Sequence, residues 1–316
     1  MAKSIRLFRM VVTALLVTFL WGSVAPVIKL GYQELDIQAN QIGKQLLFAG
    51  HITLLASCVL FLFIRLKKQS IRIKGNTALS ILKVSIFQVF LNYFFFFIGV
   101  SLSSGSVGSI MAGTTSLFQL LFAHFIFKNE RLTWTKNIGL LIGLFGIMML
   151  NMTTSFRLSI EWGDILLLAS VFAGAWGNLL AAKMMADVDT KIMTGYAMLV
   201  SSIGFFVIGY GMVGSYSFVF TFHAVLLLFY LGGMSATALL LWNDLMRCYP
   251  VGRVSLFLFL IPVFGVIISS VLLNEPIKSN TFLALAFVII GIIVVNRKKN
   301  DRKKGSRRWV LFIFTK

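Results

Sequence analysis

Four carboxamide side chains stand inside segments that are otherwise apolar: Gln88, Asn92, Gln119 and Asn178. Gln88 and Asn92 are four residues apart, which places them on one face of a helix. An amide offers both donors and acceptors, and an unpaired polar group in hydrocarbon is costly, so such residues turn towards a cavity or another helix. Two roles are open to each. One is hydrogen bonding to a neutral or zwitterionic solute, and the other is joining helices at ~0.6–2 kcal/mol per contact. Trp21 and Trp176 are aromatic candidates for the same lining, with packing as the alternative. Pro26 and Pro262 each remove a helical hydrogen bond and are expected to kink their helices, as hinges or as fixed bends. His51, near the middle of an apolar run, is the candidate for proton coupling because imidazole titrates near neutrality. A hydrogen-bonded interior histidine is its other reading. His124 and Asp244 stand nearer the ends of their runs, where solvation makes them ordinary.

Some chemistry is excluded by what these runs lack. No Asp or Glu stands in the middle of one, which argues against a carboxylate relay for protons or sodium and favours facilitated diffusion. With three His in the whole chain and no acidic pair at one depth, a membrane-embedded enzyme lacks its acid–base or metal cluster. No metal or cofactor is expected. Cys58 and Cys248 have no metal or redox spacing and are read as structural. No Gly-Lys phosphate loop is present, and no soluble domain that would suit a receptor.

The elements that hold these residues follow from composition. Of 316 residues 58% are hydrophobic and 12% charged, with a mean hydropathy of +0.91. Soluble domains carry about 25% charged residues. Apolar runs of about 20 residues, enough to cross the hydrocarbon core as helices, recur along the chain. They lie near 10–30, 41–64, 78–101, 104–127, 136–151, 163–183, 191–211, 222–245, 252–272 and 280–296. An all-α membrane protein of ten transmembrane helices is expected. The first run continues through "SVAPVIKL" without a signal-peptide cleavage site, so it reads as a retained span. With the N-terminus cytoplasmic, only Lys29, Lys44, Arg157 and Lys278 of the 29 basic residues fall on the other side. That asymmetry orients both termini to the cytoplasm. The net charge of +19 sits in connections and in the tail 297–316, which suits anionic lipid rather than nucleic acid. Trp134, Trp162 and Trp309 read as interfacial belt residues.

The chain also repeats itself. Asn129 and Glu130 correspond to Asn274 and Glu275 at an offset of 145, and Gly146 and Asn151 to Gly291 and Asn296. "LWGSVAPVIK" ending at Lys29 echoes "AWGNLLAAK" ending at Lys183. Each half therefore holds five spans. Five is odd, so the halves enter the membrane in opposite directions, an inverted repeat whose consequence is a central site and alternating access. The expected divisions are a basic cytoplasmic N-terminus at 1–9, repeats at 10–151 and 163–296, and a basic cytoplasmic tail at 297–316. Glu130 and Glu275 stand just before helices, where a carboxylate satisfies free backbone N–H groups. That structural capping is their expected role, with a gate or hinge as the alternative. Gly139 and Gly143, followed by Gly146, permit close helix approach as a packing seam or a homodimer seam.

At this point the chain resembles the EamA-type branch of the drug/metabolite transporter superfamily. "WGSVAPVIKL" in span 1, "IPVFGVIISSVLLNEP" through span 9, and Glu corners followed by Gly-rich spans carry the resemblance over residues ~10–297. It implies a carrier of small organic solutes in the plasma membrane, often an exporter of amino acids or related metabolites, and no enzyme. A lipid or lipid-carrier flippase is the alternative within transport, kept open by 31 Phe. One departure is that the proline common in the family's fourth span is Leu117 here, opposite Pro262.

Overall fold

A computed structural model describes residues 2–73, 75–127, 134–150, 160–185, 188–215, 218–277 and 279–296. Glu130, Asn151, Arg157, Trp309 and the tail lie outside them. The described residues form helices and connections, with no strand. In chain order the α-helices are α1 (Ala2–Gly22), α2 (Val24–Glu34), α3 (Ile42–Leu66), α4 (Ala78–Val84), α5 (Asn92–Leu102), α6 (Gly105–Gly113), α7 (Thr115–Ile126), α8 (Trp134–Leu150), α9 (Trp162–Met184), α10 (Thr190–Val213), α11 (Phe222–Cys248), α12 (Val251–Val254), α13 (Leu260–Leu273) and α14 (Ser279–Asn296). A π-helical segment, Ser85–Leu91, joins α4 to α5, and a 3₁₀ segment, Ser255–Phe259, leads into α13.

Among the described residues, seven helical segments are long and apolar enough to cross a membrane, including Ile5–Glu34, Ala78–Leu102 and Gly105–Ile126, each of which runs through a break. α8 and α14 pack along each other at the side of the molecule, with Phe145 edge-on to Phe287 at 5.1 Å. Gly139 and Gly146 are buried within the single chain. Trp134 and Trp162 are exposed, as belt residues should be. Cys58 and Cys248 are free and exposed, not part of the core.

The breaks have local causes. Pro26 is the third residue of α2, and the interruption falls ahead of it at Ser23. With no N–H on Pro26, the Gly22 carbonyl has no helical donor from it and accepts the Ser109 hydroxyl at 3.4 Å. Pro262 is likewise the third residue of α13, and the 3₁₀ segment before it is the interruption. The surprise is the α6–α7 break at Thr114, where no proline exists. Three successive hydroxyls turn back on the chain there: Thr114 Oγ1 to the Met111 carbonyl at 2.6 Å, Thr115 Oγ1 to Ala112 at 2.6 Å and Ser116 Oγ to Gly113 at 3.1 Å. Back-bonding of this kind bends helices. Leu117 is the third residue of α7, the same place the prolines hold in their helices.

A prediction follows from that register. The Leu117 N–H donates to the Thr114 carbonyl at 2.9 Å and takes no part in the i−4 ladder. Leu117→Pro therefore loses that one bond and part of a buried side chain, but should still cost less than a mid-helix proline, at ~3 kcal/mol or more. Leu121→Pro, one turn later, should cost that full amount. Thermal unfolding of the two variants in detergent checks this, and equal losses would refute the account of the break.

Candidate functional site

Midway along the long helices lies a cavity of about 100 Å³, against the ~10–15 Å³ needed to hold one water. Its walls come from both ends of the sequence: Trp21, Val24 and Ile28 from α1 and α2, Gln88 from the π segment, and Asn92, Tyr93, Phe96 and Phe97 from α5. Opposite them stand Ser170, Gly174 and Asn178 of α9, Ser235 of α11, and Leu258 and Ile261 ahead of Pro262. Among the described residues its lining holds no Asp, Glu, Lys, Arg or His. The cavity therefore offers aromatic faces and amide dipoles, not charges.

The amides form one buried chain. Gln88 Nε2 donates to Asn178 Oδ1 at 2.9 Å and to Asn243 Oδ1 at 2.8 Å. Asn178 Nδ2 donates to Gln119 Oε1 at 3.1 Å, and Gln119 Nε2 to Ser255 Oγ at 2.8 Å. On the other side Asn243 Nδ2 donates to Thr194 Oγ1 at 3.1 Å. Five chain segments are tied to the π segment in this way, all through buried side chains. The wider π turn carries Gln88 into the centre, a placement typical of such bulges at functional sites. Asn92 stands apart from the chain. Its Nδ2 donates to the Ser170 carbonyl at 2.8 Å and lies 3.2 Å from Ser170 Oγ, leaving Oδ1 without a protein partner among the described residues. By donor count Asn178 also retains one N–H. Both groups keep hydrogen-bonding capacity in residues of the cavity wall.

Of the residues singled out from sequence, Trp21, Gln88, Asn92 and Asn178 line the cavity. Gln119 is fully buried behind it as a link in the chain. Trp176 does not line it. Its ring meets Phe122 at 5.6 Å in a separate cluster. Ser170, Gly174 and Asn178, four apart, turn one face of α9 to the cavity, and Trp176, two residues from both Gly174 and Asn178, points away from it. Gly177 lets the backbone of Gln88 press against α9. Trp21 instead packs on the buried Trp242 at 5.3 Å, and the Trp242 indole N–H has no hydrogen-bond partner among the described residues. His51 also lies outside the lining. Its Nδ1 is 2.7 Å from the Leu47 carbonyl, and its ring sits among Phe206, Phe218 and Phe220.

The sequence reading missed Asn243, Thr194 and Ser255, and it missed the aromatic wall of Tyr93, Phe96 and Phe97. Asn243 carried the same signal as the other amides but stands beside Asp244 near the end of its run. The phenylalanines are lost among 31 of their kind.

The Glu275 corner is built differently from the expectation that it caps the helix after it. Asn274 ends α13 in the left-handed region, φ 53°, which Asn tolerates. That turn sends the Glu275 carboxylate across to the start of α6. There Oε1 accepts the Gly105 N–H at 2.8 Å, and Oε2 accepts the Ser106 N–H at 3.0 Å and hydroxyl at 2.8 Å. Lys29 of α2, within electrostatic reach, donates to the Ser103 carbonyl at 2.5 Å. Negative charge at a helix N-terminus is favourable, so three segments distant in sequence are clasped at one face.

Long apolar helices around a central cavity without charged lining define a multi-pass membrane protein of the solute-carrier kind. The chain belongs to the EamA-like transporter family, whose profile matches it twice, over residues 8–152 and 161–297. An uncharacterized transporter of Archaeoglobus fulgidus is 27% identical over 92% of this chain and 99% of its own. A probable amino-acid metabolite efflux pump of Escherichia coli is 24% identical over 90% of this chain and 93% of its own. An S-adenosylmethionine/S-adenosylhomocysteine transporter of Chlamydia trachomatis is 24% identical over 81% and 82%. A crystal structure shares the fold with a TM-score of 0.67 at 18% identity, covering 91% of this chain and 96% of that one.

Proposed function

We propose that this chain is a secondary transporter that moves small organic metabolites, amino acids or related solutes, out of the cell across the plasma membrane. In this reading it crosses the membrane ten times as two inverted five-helix repeats, 10–151 and 163–296, with both termini cytoplasmic. The observation that carries it is the uncharged cavity walled by segments of both matched repeats. Amide dipoles complement a neutral or zwitterionic solute without a fixed counter-charge, and Trp21, Tyr93 and Phe97 suit an apolar or planar part. The relatives named for amino-acid metabolite efflux and for S-adenosylmethionine support the amino-acid-like class. Substrate contact is assigned to Trp21, Gln88, Asn92 and Asn178, with Gln119 holding Asn178 in place.

Alternating access needs a seal on one side at a time. The Glu275–Gly105–Ser106 clasp, with Lys29 on Ser103, supplies that seal on the non-cytoplasmic face. Pro26 and Pro262 place flexible breaks between it and the cavity.

Proteoliposomes loaded with a mixture of amino acids and other metabolites test the function. Mass spectrometry would follow which solute leaves faster than from empty-vesicle controls, with and without a pH gradient. Selective loss of one solute class is expected. If folded protein releases nothing under any gradient, the carrier reading fails and lipid flipping is assayed next. Asn92→Ala and Trp21→Ala should each lower flux about tenfold, the loss of ~1.4 kcal/mol of solute contact, while folded yield changes much less. Unchanged flux in both removes the site assignment.

A further inference from the structure

Away from the central cavity, a groove of about 800 Å³ opens between the first turns of α1 and the last turns of α11. These helices run antiparallel, so their charged ends share one face of the membrane. The Tyr249 hydroxyl donates to the Arg6 carbonyl at 3.0 Å, and the Arg6 guanidinium lies 5.5 Å from the centre of the Tyr249 ring. Arg6, Arg9 and Arg247 line the groove near the helix ends, and half-buried Leu241, with the nearly buried Met10 and Leu245 beneath, lines the part further along the helices. From Arg6 to Thr13 the helix rises roughly 10 Å, so the groove passes from charge to hydrocarbon within the depth of one headgroup region.

Two of its three cations are without a carboxylate: Asp244, the one carboxylate in the lining among the described residues, is engaged with Thr190 and Arg247. Among the described residues neither Arg6 nor Arg9 has a carboxylate partner. The second repeat supplies an internal comparison. The matching place, where the first turn of α9 meets the end of α5, also forms a groove, lined by Leu102, Glu161 and Trp162. The same architecture is therefore basic at one face and acidic at the other.

We propose that the α1–α11 groove is a binding site for an anionic phospholipid, with the phosphate on Arg6 and Arg9 and within reach of Arg247, and one acyl chain along half-buried Leu241 over the nearly buried Met10 and Leu245. Planar guanidinium groups match phosphate oxygens in pairs, and basic pockets between membrane helices select anionic headgroups. An apolar wall directly beneath the arginines fits an anchored phosphate better than a free one. The site is independent of the solute carried and of which side of the membrane this face occupies.

Native mass spectrometry of the full-length protein, titrated with phosphatidylglycerol or with phosphatidylcholine of the same chains, tests it. Phosphatidylglycerol should bind about tenfold tighter or more, and each arginine removed should cost about fivefold. The variant Arg6→Gln/Arg9→Gln/Arg247→Gln should lose the preference. Arg9→Gln alone, which breaks no hydrogen bond of the fold, gives the smaller step if the triple variant does not fold. Lys298→Gln/Lys299→Gln/Arg302→Gln/Lys303→Gln, which removes tail charge, should keep the preference. Equal affinity for the two lipids overturns the proposal, as does a preference lost with the tail charges and kept without the arginines. Competition by sodium phosphate at the lipid's own concentration would make the site one for free anions and overturn it too.

Discussion

Gly177→Ala should remove most of the folded protein. A methyl group at this position would enter the backbone of Phe87 and Gln88, and backbone within a packed helix cannot rotate aside as a side chain can. The cost should fall near 3 kcal/mol, at the upper end for overpacked cores. The damage would also spread, because the π segment pushed away carries the donor that holds Asn178 and Asn243. Each orphaned buried amide adds ~1–3 kcal/mol. Gly211→Ala in α10 is the control, with open space around its added carbon. It should be neutral or slightly stabilising, as Ala is the better helix former. Fluorescence-detected size exclusion after a heating series compares the two. A Gly177→Ala protein as stable as wild type would mean that α9 and the π segment do not approach as described.

Glu275→Ala should loosen the seal on its face. It leaves the Gly105 and Ser106 N–H groups and the Ser106 hydroxyl without their acceptor, and it strips the positive end of α6 of its counter-charge. Losing a helix cap of this kind costs about 2 kcal/mol, roughly a 30-fold shift between closed and open populations. Leu273→Cys, whose parent side chain touches Gly105, can report the change in a background where Cys58 and Cys248 are Ser. A membrane-impermeant thiol reagent should label it at least tenfold faster with Glu275→Ala, and by an intermediate amount with Glu275→Gln. A lower melting temperature with no change in labelling would make Glu275 a fixed cap, and the gate assignment would be withdrawn.

Much of the candidate cavity lining was legible because hydrocarbon makes polar residues conspicuous. Gln88, Asn92, Gln119 and Asn178 stand out in apolar runs since each must find a partner or a cavity, and the four were found either on the cavity or one hydrogen bond behind it. Trp176 shows where this reasoning stops. Its repeat relation to Trp21 suggested a shared lining, but repeated sequence does not impose identical neighbours. Gly177 faces the π segment, whereas Gly22 meets Phe264 and Gly265. The Glu corner shows the same boundary. That a carboxylate beside free N–H groups acts as a cap follows from local chemistry. Which helix it caps depends on the direction Asn274 gives the chain.

The sequence by itself determined a helical chain for the bilayer, the two-fold repetition that the family profile also matches, and the prolines' interruptions. These are properties of composition, period and missing N–H groups, which operate over one helical turn or one membrane thickness. Only the tertiary structure decided which amides join Asn243, Thr194 and Ser255 in one chain, that Trp21 meets the cavity while Trp176 does not, and that Glu275 reaches α6. In a membrane, apolar faces pack against lipid or against one another with little preference. The choice of neighbours therefore falls to close glycine contacts and buried hydrogen bonds between residues far apart in the chain, and their pairing is not written in either partner's local sequence.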